Sequence, residues 1–169
     1  MNAKVNPTPI TANEGIIDLD LSVTAKKKFR INKDDNRILE LNTSDMGIIR
    51  RISETYPKLQ ELQAQATKLT DGIDLEKESE DISMEDTKVL ADRLEEIDQK
   101  MREYIDYMFN ANVSEITAPD GSMYDPFGGT FRYQHIMNLL MTQYETNLQS
   151  EFGKIEKQMK KHTDKYLKG

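Results

Sequence analysis

The chain has no cysteine, which excludes disulfide staples, thiol nucleophiles and cysteine-ligated zinc. Histidine occurs only as His135 and His162, and no carboxylates fall at spacings that complete a metal-ligand set with them. Nothing matches HExxH, a P-loop or GxSxG. Gly128-Gly129 lies in a loop without the strand–turn–helix setting of a phosphate cradle. The many Asp and Glu could supply an acid and a base, but they cluster where solvated faces are expected. No stretch approaches the ~20 apolar residues of a membrane span. Met1 is followed by NAKVNPTPITANEG rather than by a basic patch and an apolar run, so no secretory signal is read there. The expectation is a soluble cytoplasmic protein that is not an enzyme, with no catalytic, cofactor-binding or metal-ligating residue to nominate.

Core-forming residues are scarce as well. Ile, Leu, Val and Phe make up 38 of 169 residues, about 22%, against 31% charged. A compact globule of this size buries about two-thirds of the surface its unfolded chain exposes. So thin a supply implies narrow apolar stripes, an elongated shape, or a partner that completes the core. The net charge of −7 is uneven. Twelve acidic residues lie between Asp71 and Asp98 against Lys77, Lys88 and Arg93. Lys154, Lys157, Lys160, Lys161, Lys165 and Lys168 crowd the other end. A basic tail can hold phosphates; the plainer reading is a solvated helix face whose lysines suit a helix C-terminus.

What is present is periodicity. Residues 1–26 read as an extended N-terminal segment with a possible strand, in which GIIDLDLSV alternates, Ile17, Leu19, Leu21 and Val23 against Asp18, Asp20 and Ser22. Residues 27–69 read as a β-hairpin plus helix. Phe29 and Ile31 alternate with Lys28 and Arg30, Lys33-Asp34-Asp35-Asn36 supplies a turn, and Leu39 and Leu41 return on one face. Two strands are marginal alone, so the hairpin must lie against something. Asn42-Thr43-Ser44-Asp45 is dense in helix N-cap residues, and apolar residues recur at helical spacing from Ile48 to Leu69. Pro57 predicts either a short helix to about Thr55 followed by a second one, or a single kinked rod.

Residues 70–83 read as an acidic linker, and 84–169 as a helical region with an aromatic loop at 113–130. Leu90, Leu94, Ile97, Met101, Ile105 and Met108 form a narrow stripe that another helix must cover. The loop carries Met123, Tyr124 and Phe127, with Phe131 and Tyr133 after it. These rings either fold back as a satellite core or anchor a partner. From Phe131 to about Lys168 the stripe runs through Ile136, Leu139, Leu140, Tyr144, Leu148, Phe152, Ile155, Met159 and Tyr166, a helix of roughly 55 Å at ~1.5 Å per residue, part of which is expected to project. The expected fold class is α+β, mainly α: an N-terminal β-hairpin or small antiparallel sheet followed by three to four helices, the last one long. Leu94, Met101, Met108, Tyr124, Phe127, Phe131, Tyr144 and Phe152 are the residues nominated to meet a partner.

The hairpin FRINKDDNRILELN, the helix from NTSDMGIIRRI, the acidic middle and REYIDYMFNANVSEI together resemble the tail assembly chaperones of long-tailed bacteriophages and prophages. YIDYMFNANVSEI is similar to that group's helix ending in an aromatic, followed by a short polar break and another apolar pair. The resemblance covers residues 27–116, and the long C-terminal helix departs from it. It implies a non-enzymatic protein that binds a tape-measure-type partner and helps recruit tail tube subunits in the bacterial host, with homo-oligomerisation expected and no cofactor. A structural coiled-coil component retained in the particle is the alternative, and a nucleic-acid factor using the C-terminal lysines a weaker third.

Overall fold

The computed structural model describes residues 15–20, 26–71 and 84–167. It has the expected class: mainly helical, with a small antiparallel sheet early and a long C-terminal helix, four helices among the described residues. Strands β1 (Lys27–Arg30) and β2 (Ile38–Leu41) pair with Phe29 opposite Leu39 and Lys28 opposite Glu40. Residues opposite one another share a face. Phe29 and Leu39 therefore turn inward together, and Lys28 and Glu40 meet outside as an ion pair at 3.4 Å. The connecting turn closes from Ile31 to Arg37, with Asn32 and Lys33 in left-handed backbone and Asp34 Oδ1 accepting the Asn36 amide at 2.9 Å.

The earlier alternation does not form a strand over residues 15–20. Ile17 and Leu19 are 81% and 78% exposed, so among the described residues no strand pairs with this alternation or buries its apolar face. Residues 21–23 of that pattern lie outside the described residues, as does most of the acidic linker, 72–83.

Helix α1 (Ile48–Thr70) starts later than the cap residues suggest, and no side chain caps it. The Asn42 and Asp45 oxygens instead accept the Ser44 and Gly47 amides at 3.2 and 2.9 Å, making two successive Asx turns that lead into the helix. Pro57 lies inside one continuous helix, so the two-helix alternative does not hold. Ile48, Thr55, Leu59, Leu62 and Ala66 form its buried face, which packs along α2 (Met84–Phe109).

The α2 stripe is closed by the chain itself. Ile97, Met101, Ile105 and Met108 are buried in a core shared with α1, β2 and the first half of the last helix, and Leu94 packs half-buried at its edge. That corrects the expectation that this seam awaits an outside helix. The segment after it is also ordered: a short helix, α3 (Val113–Thr117), then a two-residue hairpin, β3 (Pro126–Phe127) with β4 (Thr130–Phe131). Gly128 and Gly129 both have positive φ, 58° and 85°, as a type I′ hairpin turn requires; that is the reason for the glycine pair. Met123 is fully buried, and its carbonyl and that of Asp125 accept the Tyr133 and Arg132 amides at 3.0 and 2.8 Å, fixing the start of α4 (Arg132–Leu167).

Three arginines hold these elements together. Helix C-termini leave carbonyls without intrahelical donors, and guanidinium groups supply them here. Arg51 Nε donates to Met108 O at the end of α2. Arg37 donates to Ile116 O and Thr117 O at the end of α3. Arg102, paired with Asp98 at 2.6 Å, donates to Ser114 O, Ala118 O and Gly121 O, while Asp98 Oδ1 accepts the Met123 amide. Among the described residues no helix is long and apolar enough to cross a membrane.

Candidate binding cleft

The hairpin, the segment after α3 and the first turns of α4 enclose a cleft of about 390 Å³, within the size range of ligand and peptide pockets. Phe29 and Ile31 come from the hairpin, Ala118 and Pro119 follow α3, Phe127 comes from β3, and His135, Ile136 and Leu139 from α4. Each wall has a local cause. The β1–β2 pairing turns Phe29 inward. The Gly-Gly turn lifts Phe127 on its small hairpin. Leu139 and Leu140 are adjacent in α4, about 100° apart, so Leu140 enters the core and Leu139 stays 58% exposed.

Arg30, Asn32, Arg37, Asp120, Arg132 and Gln143 edge the cleft. Arg37 is already committed to the α3 carbonyls. Arg132 lies 3.5 Å from Asp125 Oδ2, donates to Ser122 O, and stacks over Phe127 at 4.8 Å. His135 tilts against the same Phe127 ring, centroids 5.0 Å apart. Arg30 pairs at 2.9 Å with Asp35 on the exposed side of the hairpin. The lining is thus apolar with a polar edge whose arginines are each engaged within the chain. It offers no nucleophile–base pair, and among the described residues no cluster of His, Asp or Glu could hold a metal ion. Its chemistry is the burial of apolar side chains.

A second hollow lies between α1 and α2, lined by Glu54, Thr55, Lys58, Glu103, Tyr104 and Tyr107. Lys58 lies over the Tyr104 ring at 5.3 Å, and the Tyr107 hydroxyl donates to Glu54, which holds its pKa above the ordinary phenol value.

Of the residues nominated from sequence, only Phe127 lines the cleft. Met101, Met108 and Tyr144 are buried in the chain's own core and cannot present surface, Tyr144 with its ring against Phe109 of α2. Leu94 and Tyr124 pack half-buried against that core, and Phe131 does so while stacking on Tyr133 at 6.4 Å. Phe152 is exposed on the distal half of α4, outside the cleft. Phe29, Ile31, His135 and Leu139 were not nominated. The Leu139-Leu140 doublet was the one available signal, since a narrow helical stripe accommodates only one of two adjacent residues. Comparison with protein-family models, curated proteins and solved structures gives no match to this chain.

Proposed function

We propose that this chain is a non-enzymatic assembly protein of the phage tail-assembly-chaperone kind, acting in the cytoplasm of a bacterial host. Its cleft would hold an amphipathic helical segment of a tape-measure-type client and keep the client soluble until tube subunits polymerise around it. The observation that carries this reading is the apolar lining by Phe29, Ile31, Phe127 and Leu139, next to a core that needs no further cover. The resemblance over residues 27–116 supports it independently. A client segment with two or three apolar residues at helical spacing fits this chemistry.

Co-expression with the long coiled-coil product of a neighbouring gene tests the reading. The wild-type chain should co-purify with that product and raise its soluble yield. Leu139→Glu, at an exposed position, should abolish both while the chain's own unfolding midpoint stays put. No co-purification of the wild type, or a client indifferent to Leu139→Glu, would overturn it. The projecting half of α4 favours one alternative, a structural component kept in the particle; mass spectrometry of purified virions separates the two, since a chaperone is absent from them.

A further inference from the structure

The head of the molecule covers α4 only as far as Asn147, whose Nδ2 donates to Ser44 Oγ at 3.0 Å. Beyond it no residue of α4 is buried. The apolar stripe nevertheless continues. Leu148, Phe152, Ile155, Met159, His162 and Tyr166 follow at spacings of four, three, four, three and four, the a/d pattern of a two-stranded coiled coil. Phe152 and Ile155 are each 49% exposed and Met159 65%. A helix stripe of this kind is unsatisfied until another helix covers it.

We propose that this seam pairs antiparallel with the same seam of a second copy of the chain. Three features select that occupant. The first is internal symmetry. Turned end for end about Lys157, the seam meets itself in register, Leu148 against Tyr166, Phe152 against His162 and Ile155 against Met159, twice each. The second is charge. In an antiparallel pair the residues flanking one side of the seam face their own kind; here that sets Glu151 against the partner's Lys165, again twice, with Gln158 facing itself. A parallel pair would instead set Glu151 against the partner's Glu156. The third is space. The head packs on the same face of α4 up to Tyr144 and Asn147, so a parallel partner would bring its own head into this one, whereas an antiparallel partner carries it to the far end.

One contact opposes the arrangement: Glu156 meets its own copy near the dyad. Glu151 is also shared, since Lys154 of its own helix lies 3.0 Å away. The seam is independent of the cleft. Leu139 and Phe152 are thirteen residues apart, which puts them roughly 220° apart around the helix, so one face can hold a client while the other holds a copy.

Sedimentation equilibrium of the full chain tests this. The wild type should move from one chain, 19.5 kDa, toward two as concentration rises. Ile155→Glu should hold it at one, with the melting of the head unchanged. Glu151→Lys should weaken the dimer about tenfold, because two attractive pairs become repulsive, and Lys165→Glu in the same chain should restore it. Because the chain has no cysteine, single cysteines report direction. Gln158→Cys should form an interchain disulfide on oxidation. Tyr166→Cys should not, since antiparallel pairing leaves its two copies roughly 27 Å apart, far beyond disulfide reach. A wild type that stays a single chain at its solubility limit, a dimer untouched by Ile155→Glu, or a disulfide at Tyr166→Cys but not at Gln158→Cys would each overturn the proposal.

Discussion

Arg51 on α1 donates from Nε to the carbonyl of Met108, 2.8 Å away in the last turn of α2. The same guanidinium lies 2.6 Å from Asp45 Oδ2, so one side chain ties the loop before α1 to the end of the next helix. The hydrogen bond from Arg51 holds the Asp45 carboxyl below its ordinary value of 3.8, aided by the Gly47 amide and opposed by burial. The folded chain therefore binds fewer protons than the unfolded chain over the interval between the two values. This contribution is complete above the ordinary carboxylate range and is lost as pH falls through the folded value. Asp45→Asn should flatten the acid limb of a stability–pH curve measured by urea unfolding, while lowering stability at neutral pH.

Arg102 is the costlier loss. It serves Ser114 O, Ala118 O and Gly121 O and neutralises Asp98, and both charged side chains are about one-sixth exposed. Removing one member of such a pair strands the other along with the carbonyls it served. Arg102→Met should cost about 3 kcal/mol, read as a shift in the denaturant midpoint. Asp98→Asn should cost less, because an amide oxygen still accepts the Met123 amide.

Gln63 predicts a change of the opposite sign. It is buried on α1, its Nε2 donates to Thr67 Oγ1 at 3.2 Å, and its Oε1 has no hydrogen-bond partner among the described residues. A buried acceptor without a donor costs about 1–3 kcal/mol. Gln63→Met keeps the length of the side chain and removes that oxygen, so the unfolding midpoint should rise, by the equivalent of about 1 kcal/mol.

These three sites show where sequence stops being informative. The β1–β2 hairpin was legible because period-two alternation around an Asp-Asp turn has few other uses, and the α2 and α4 stripes because their spacing is strict. The arginine ties were not, since a backbone carbonyl is the same at every position. Charges that sequence places on solvated faces here hold helix ends. Cap residues alone do not fix a helix start, because Asn42 and Asp45 can serve a turn as readily as a cap; the periodicity from Ile48 marks it. Most of the cleft was invisible too. Phe29 and Ile31 lie about a hundred positions from Leu139, and only the pairing of β1 with β2, itself tied to α3 by Arg37, brings them together.

Tyr144 is the alkaline counterpart of Asp45. It is buried, with its ring 6.0 Å from that of Phe109, and burial pushes its phenol up to about 12 from 10.0, with the Asp45 charge adding and Arg51 subtracting. The unfolded chain gives up this proton near 10 and the folded chain near 12, so the stability it contributes is complete below about 10 and is lost between about 10 and 12. Tyr133 moves in the same direction, also through burial. Tyr144→Phe should therefore reduce the alkaline limb of the stability–pH curve, and Tyr133→Phe with it should reduce that limb further. An ultraviolet titration of the folded wild type should show a late-ionising fraction that shrinks in the same order. Tyr144→Ala, which empties the core instead, should cost about 3–5 kcal/mol below about pH 10 and less above it.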